Sequence, residues 1–406
     1  MSDARVVYHP NISVLFCTCA NFSHVSLFLP RHFSLRSAPG TLLLNMLIKN
    51  EREHLSRTLP EWAKLIDCWV IGVDDANTDD SVEIIHKHLG HIPGRVVTVK
   101  FDGMGPTWTE LVQVGVKEFP QCTHGLISDA DFSPIDPTQF DKMQLDTRCS
   151  KHMFTIWSDG RTNERKMDWI YRNLPGAHVT RRTHQILEAP PLRDQEVFQT
   201  LTDLHLTEQT GGYQDRTPGK TERYIGFLQA DLAELPDDTR TLYYLGYAHY
   251  EIFLHATNHG EKLSAATAAD WAALEKSVGF FTRRADIGTK DGNMEEHFFT
   301  LLKLGEIYER LYKKYEPAAE WYERAAALDP DRADAWFHAA QLRRLFSLND
   351  EAIPYALKAA RLRMPLRSMF QWHSLYTCVA PLELARVVVR TCYRLKTKHD
   401  NILFCY

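Results

Sequence analysis

The sequence predicts an α/β domain on an open doubly wound sheet of parallel or mixed strands, followed by an all-helical repeat domain. Three observations predict it. Short apolar runs alternate with helically spaced segments over residues 41–128. Acidic clusters sit directly after the second and fourth of those runs. From Asp237 the chain turns rich in Ala, Leu, Tyr, Glu, Lys and Arg, and parts of it recur.

The elements follow in order. TLLLNMLIKN at 41–50 is an apolar run closed by polar residues, the size of a buried parallel strand. Residues 51–65 have helical spacing. CWVIGV at 68–73 reads as a second buried strand and ends in the polar turn DDANTDDS at 74–81. Asp80 or Ser81 can cap the helix expected over 82–89. Residues 95–101 are a third strand, 107–119 a helix, and 123–128 a fourth strand running into Asp129-Ala130-Asp131. Strands alternating with helices specify a sheet wrapped by helices. Right-handed crossovers favour the open doubly wound form. Ligands of such sheets bind beyond the carboxyl ends of the strands. Those ends are where Asp74, Asp75, Asp129 and Asp131 fall.

In the second half, LPDDTRTLYYLGYAHY at 235–250 parallels LDPDRADAWFHAAQLR at 328–343, and EPAAEWYERAAAL at 316–328 parallels DEAIPYALKAARL at 350–362. The spacing of the latter pair, about 34 residues, is that of tetratricopeptide-type helix pairs. Such pairs bury their apolar faces only by stacking, so about three are expected in a short solenoid. Gly305 would let two of its helices approach closely. The apolar end NILFCY at 401–406 offers no polar cap, which predicts truncation or self-association there.

Composition narrows the class. A chain of 406 residues exceeds one ordinary core, so two domains are expected. A net charge of −5 without a basic run argues against a nucleic-acid or anionic-membrane surface. The eight cysteines are scattered without a C-x-x-C pair, so they read as reduced thiols in a cytoplasmic protein. Residues 12–29 are moderately apolar but contain Asn21, Ser23, His24 and Ser26, costly in a bilayer. A weakly basic flank and no clear cleavage site make a disordered leader the expectation for residues 1–40, with a signal or anchor at 12–29 as the alternative. The chain lacks a G-x-G-x-x-G turn after its first strand and a G-K-[ST] loop, against a dinucleotide oxidoreductase and a P-loop ATPase.

The sharpest chemical motif is Asp129-Ala130-Asp131. Two carboxylates flanking one residue at a strand end can share one hard divalent cation. Such a cation neutralises a departing diphosphate. Taken alone the pattern is common in solvated loops; its place after a buried strand singles it out. Asp74-Asp75 can hydrogen-bond a ribose or base edge, or belong to a plain turn. Lys49-Asn50-Glu51 can face a nucleotide, or simply start a helix with Asn50 as cap. His184 and His205 lie among polar neighbours, and a histidine from this part of the chain could complete a metal shell. Gly211-Gly212-Tyr213 suggests a loop covering the site.

With these residues in view, 43–135 resembles the family 2 inverting glycosyltransferases of GT-A fold. LLNMLIKNEREHLSRTLPEW is similar to the family's first strand and helix, VIGVDDANTDDSVEII to its second strand and acidic loop, LISDADF to its D-x-D strand, and RRTHQIL to its later His-Glu element. A tetratricopeptide tail resembles a known subgroup. The resemblance implies a nucleoside diphosphate sugar donor, UDP-linked, with Mn2+ or Mg2+ as cofactor. It implies Asp74 and Asp75 at the nucleoside, Lys49, Glu51 and Asp129 lining its pocket, and Asp129, Asp131 and His205 at the metal. Departures are Ala76-Asn77 where glycine is usual, no arginine near Trp108, and Gln185 where the family has its glutamate. An amide accepts no proton at neutral pH, so Glu188, about one turn on, is the substitute base beside Gln185.

The expected organisation is a leader at 1–40, a nucleotide-sugar domain at 41–215, and helical repeats at 216–406. The expected activity is metal-assisted, inverting hexosyl transfer to a protein, peptide or glycan acceptor held on the repeats, with no nucleic acid or membrane partner. A degenerate sugar-transferase domain acting with its repeats as a scaffold is the alternative. A nucleotidyltransferase is a third reading, because fold alone does not choose the chemistry.

Overall fold

The computed structural model describes residues 8–9, 12–13, 39–158, 163–190, 198–209, 219–290, 293–365 and 374–398. Residues before Gly40 form a separate unit. Its described part is one antiparallel pairing of Tyr8–His9 with Ile12–Ser13. Most of the segment 12–29, the glycine pair at 211–212 and the apolar end 401–406 lie outside the described residues. Among the described residues, no helix is long and apolar enough to cross a membrane.

The unit from Gly40 onward opens with β1 (Leu42–Ile48), α1 (Arg52–Trp62), β2 (Cys68–Asp74), α2 (Ser81–Leu89), β3 (Gly94–Val99), α3 (Met104–Glu118) and β4 (His124–Ser128). Strand β1 pairs in parallel with β2 on one side and β4 on the other, and β3 extends the parallel set beyond β2. Burial explains the near-continuous apolar runs: every residue of β2 and β4 is buried. Period-two alternation assigns the faces. A Cβ on Gly115 of α3 would lie 2.5 Å from Leu43, and one on Gly72 would lie 2.7 Å from Leu111. Helix α3 therefore sits directly on β1 and β2, and only glycine permits so close an approach at these two points.

The sheet then changes character. β5 (Phe132–Ile135), β6 (Lys151–Ser158), β7 (Asn163–Arg172) and β10 (Phe198–Glu208) complete eight strands in the order β3-β2-β1-β4-β7-β6-β10-β5. β7 runs antiparallel to β4 and β6, β10 parallel to β6, and β5 antiparallel to β10. A small hairpin, β8 (His178–Thr180) with β9 (Ile186–Glu188), stands apart from this sheet and packs on α3. The sheet is thus mixed, with its parallel half first in sequence.

Cys68 and Cys122 are joined by a disulfide of S–S length 2.01 Å, a correction to the reduced thiols expected. Their separation of 54 residues hid the pair. The sheet brings them together, because β2 and β4 flank the same strand, Cys68 lying opposite Leu43 and His124 opposite Leu42. Cys149, Cys378 and Cys392 are free thiols.

The helical region comprises α4 (Lys220–Glu234), α5 (Thr239–Ala256), α6 (Ala268–Ile287), α7 (Met294–Glu306), α8 (Tyr315–Leu328), α9 (Ala333–Leu345), α10 (Asn349–Arg361) and α11 (Ala380–Lys398). Each packs chiefly on its sequence neighbours, as stacked helix pairs do. Its apolar core is separate from that of the sheet. Asp238 caps α5 by accepting from the Thr241 amide, and Thr267 with Asp270 forms a capping box on α6. Gly305 fulfils the role expected of it: a Cβ there would stand 2.4 Å from the Tyr322 ring.

Candidate functional site

The carboxyl ends of β1, β2 and β4 open into a cleft of about 480 Å3. Lys49 and Glu51 come from the end of β1, Asp74 from β2, Phe101 and Met104 from the passage into α3, and Asp129 to Phe132 from the segment after β4. The far wall brings Arg165 and Trp169 from β7 and Glu208 from β10. Helix α4 supplies Lys220, Arg223, Tyr224 and Phe227.

Local hydrogen bonds explain why these side chains hold their places. The Lys49–Arg52 turn and the 74–81 turn are interlocked. Asn77 Oδ1 accepts from the Asn50 amide at 2.7 Å, and Asn50 Oδ1 accepts from the Thr78 amide at 2.8 Å. Asn50 tolerates the left-handed φ of 54° this requires. Asp79 accepts from the amides of Arg52 and Ser81, and those bonds with the Ser81 side chain pull its pKa down against burial. Asp74 forms an ion pair with Lys49 at 3.0 Å and accepts from the Ala76 amide at 2.9 Å. The acidic segment is tied from below. Thr58 Oγ1 of α1 donates to the Ala130 carbonyl, Trp62 Nε1 donates to the Phe132 carbonyl, and the Gln209 amide donates to the Asp131 carbonyl. Asp129 and Asp131 therefore stand on a segment fixed by α1 and β10.

The electrostatics of this pair are unusual. Burial, with the neighbouring Asp131 charge adding to it, pushes Asp129 up to about 7. Burial pushes Asp131 up to about 6, with Glu208 contributing. The partner of Glu208 is Arg165, 3.0 Å away, whose guanidinium also lies over the Phe132 ring. Glu51 receives a 2.7 Å hydrogen bond with the buried His54 imidazole. Two hard oxygen donors held side by side, disfavoured as anions, fit a divalent cation. Mg2+ in particular is commonly held by one or two carboxylates, with phosphate and water completing its shell. Among the described residues no group of three or more His, Cys, Asp or Glu is arranged to hold a metal ion, so the fit is with that two-carboxylate mode.

Of the residues singled out in the sequence, Lys49, Glu51, Asp74, Asp129 and Asp131 come together in this one cleft. Asn50 and His184 do not line it, and neither do four others. Asp75 is exposed on the outer side of its turn. His205 lies on β10 opposite Ile135, three positions before Glu208, and strand alternation turns those two side chains to opposite faces. Its Nδ1 is buried without a hydrogen-bond partner among the described residues. Glu188 ends β9 and lines a separate hollow with Arg181, Asp231 and Asp238. Gln185, in the β8–β9 turn, lines neither. The reason is the course of α4, whose start faces the cleft and whose end faces the hollow. Lys220 and Asp231 are about 16 Å apart along that helix. The turn itself is absorbed in packing: His184 stacks on Tyr244 at 3.4 Å between ring centroids.

Arg165, Trp169, Glu208 and the four α4 residues were not singled out in the sequence. Arg165 and Trp169 fall in a strand whose charged, irregular pattern hides its pairing. The α4 residues lie beyond the presumed domain junction. Their one sequence signal is spacing: 220, 223, 224 and 227 mark a single helical face.

Fold and cleft together define an α/β protein with an acidic, strand-end cleft walled on one side by α4, the first helix of its helical region. No family model matches the chain, and no curated protein matches it. Among solved structures it is similar to S. aureus TarS 1–349 in complex with UDP, at 13% identity and a TM-score of 0.32, over 75% of this chain and 91% of that one. It is similar to MamA MSR-1 C2 at 18% identity and a TM-score of 0.25, over 35% of this chain and 66% of that one. A third is BtubC (BKLC) from P. vanneervenii, at 15% identity and a TM-score of 0.26, over 48% of this chain and 97% of that one.

Proposed function

We propose that the chain is a glycosyltransferase that takes its sugar from a nucleoside diphosphate sugar. The observation that carries the reading is the Asp129–Asp131 pair, held at the end of β4 beside Lys49 and Asp74 in a cleft large enough for a nucleotide. Asp74 would meet the ribose or base edge. Asp129 and Asp131 would hold Mg2+ or Mn2+ and, through it, the diphosphate. The bound metal supplies positive charge to the leaving group. Glu208 is the proposed acceptor of the nucleophile's proton: it faces the same cleft as Asp131, and its Arg165 partner fixes its orientation. Glu188 and Gln185 take no part, being outside the cleft. The acceptor would approach along the wall of α4, and the helical repeats beyond it would bind a protein, peptide or glycan.

A scaffold that binds nucleotide without turnover is the second reading. One observation favours it: Asp74 and Glu208 are each engaged in an ion pair at 3.0 Å. Calorimetric titration of UDP and GDP, with and without Mn2+, tests both readings on wild type and on D129A/D131A. Metal-dependent binding lost in the variant supports the site, and release of sugar from UDP-sugars then separates enzyme from scaffold. No binding of either nucleotide would sink both.

A further inference from the structure

We infer that the hollow beside Glu188 is a binding site for a small organic cation with N–H donors, a guanidinium or a primary ammonium. The hollow has a volume of about 190 Å3 and lies where the β8–β9 hairpin meets α4 and the start of α5. It shares no lining residue with the strand-end cleft, so the inference goes beyond the nucleotide reading and does not depend on it. Three observations carry it. First, its charges do not balance. Glu188, Asp231, Glu234 and Asp238 line it. Arg182 serves Asp231 and Glu234, and Arg181 serves Asp238. Four carboxylates therefore face two guanidiniums. Glu188 is the one left over. It is half-buried, and among the described residues its carboxylate takes no hydrogen bond and no ion pair. Strand alternation turns it away from Leu187, which packs in the sheet core. A carboxylate held off water in this way calls for a cation.

Second, a buried hydroxyl shares the hollow. Thr241 on α5 is 0% exposed and lines it, and its Oγ1 has no hydrogen-bond partner among the described residues. Buried hydroxyls are normally paired. The other hydroxyl of the lining is already taken: Thr180 Oγ1 accepts from Arg181 and donates to the Ile186 carbonyl. Thr241 Oγ1 has two lone pairs to offer, and a carboxylate oxygen engaged by one N–H keeps another. The hollow thus presents acceptors from β9, α4 and α5, which suits a cation that spreads its N–H groups over them. A bare metal ion fits less well, because among the described residues no group of three or more His, Cys, Asp or Glu is arranged to hold one.

Third, the walls are built before the cation arrives. Arg181 donates to both oxygens of Asp238, at 3.0 and 2.5 Å, and the Thr241 amide donates to the same carboxylate at 2.8 Å. Arg182 donates its backbone amide and Nη1 to Asp231, at 2.8 Å each. A site fixed in advance loses little freedom on binding. The same geometry sets selectivity. A guanidinium or ammonium can donate to several of these acceptors at once, whereas a quaternary ammonium of equal charge has no N–H to give.

The test is ligand-observed NMR on the full chain with methylguanidinium, methylammonium and tetramethylammonium at matched ionic strength, comparing wild type with E188Q and T241V. The expected result is saturable binding of the first two to wild type, at least tenfold weaker in E188Q and weaker in T241V, with no saturable binding of tetramethylammonium. Spermidine and an end-blocked peptide carrying one arginine then separate the sources of the cation. Tighter spermidine assigns a free polyamine, a tighter peptide assigns a basic side chain of a polypeptide, and no gain from either assigns the small cation itself; each supports the site. Melting without ligand is the second readout. An unmatched acid is kept at a cost to the empty fold, so E188Q should melt no lower than wild type. A lower Tm for E188Q would make Glu188 a structural partner and overturn the inference. So would equal binding by wild type and E188Q, tetramethylammonium binding as tightly as methylguanidinium, or no saturable binding of any N–H cation.

Discussion

Replacing Arg182 by alanine should loosen the helical region from the sheet region, and its cost can be worked from the contacts. Nη1 donates to Asp231 Oδ1 at 2.8 Å and Nη2 to Glu234 Oε1 at 2.7 Å. Asp231 is 6% exposed, so losing its partner leaves a buried carboxylate short of charge. Breaking a buried pair from one side costs about 3–5 kcal/mol. Two features reduce this. Asp231 keeps the Arg182 backbone amide, and Arg181 remains nearby on Asp238. The Glu234 contact is screened by solvent and adds little. Lost packing of the Arg182 stem against Gly103, where a Cβ would lie 2.4 Å away, works in the other direction. The expected loss is about 2–3 kcal/mol, a fall in Tm of about 4–12 °C by calorimetry. A double-mutant cycle with D231N should show coupling of about 1.5–3 kcal/mol. Coupling below about 0.5 kcal/mol would refute the reasoning, since it would mean that solvent replaces the guanidinium freely.

Four further outcomes are expected. E208Q should lower the rate of sugar transfer about 10^2 to 10^4-fold with little change in UDP affinity, whereas E188Q should leave both unaltered; steady-state kinetics on the two variants separates Glu208 from Glu188. Reduction of Cys68–Cys122, or C68S, should cost about 4 kcal/mol for a loop of this length, read from urea melts with and without reductant, and equal melts would show that the bond contributes nothing. Burial holds His124 at about 3 and His152 at about 4, so both are neutral in the fold while the unfolded chain protonates near 6.5. Stability from these depressed values is complete above pH 6.5 and is lost as pH falls through 6.5 toward 4; His152 alone accounts for about 2 kcal/mol at pH 5, and H152L should flatten that slope in urea melts at pH 8, 6.5 and 5. G305A should drive a methyl into the Tyr322 ring and destabilise by about 1–3 kcal/mol, while nucleotide titrations stay unchanged; an unshifted Tm would show that the helix pair relaxes at no cost.

The parallel half of the sheet was legible because burial on both faces writes a simple signal. TLLLNMLI and CWVIGV are apolar throughout, and only a strand between two helical layers needs that. The mixed half was not legible for the converse reason. NERKMDWIYR on β7 carries charge along most of its length, because part of it lines the cleft and pairs with acids there rather than with a core. Register was equally hidden: His205 and Glu208 look interchangeable as ligands in the sequence, and only the pairing with Ile135 and Phe132 tells which one faces Asp131. Asp129 and Asp131 were found because they follow a strand that could be read. Arg165 and Glu208 were missed because their strands could not.

The α4 helix shows why dividing such a chain by composition misplaces the site. Its sequence, KTERYIGFLQADLAE, is that of an ordinary amphipathic helix, and the repeats that follow give it an obvious home. Yet its two ends do different work. Lys220 to Phe227 wall the cleft, and Asp231 and Glu234 receive Arg182. The turn that supplies Arg182 needs left-handed backbone at Arg181 and His184, φ 66° and 51°, a conformation that costs such residues free energy unless the surroundings enforce it. Here they do: Asp238 and Asp231 hold the arginines, Arg240 donates to the His184 carbonyl, and Tyr244 stacks on its ring. RRTHQIL therefore reads as a docking element rather than a catalytic one. Its arginines, placed one after the other, fasten α4 at Asp231 and the start of α5 at Asp238, so a turn outside the main sheet sets where that wall of the cleft stands.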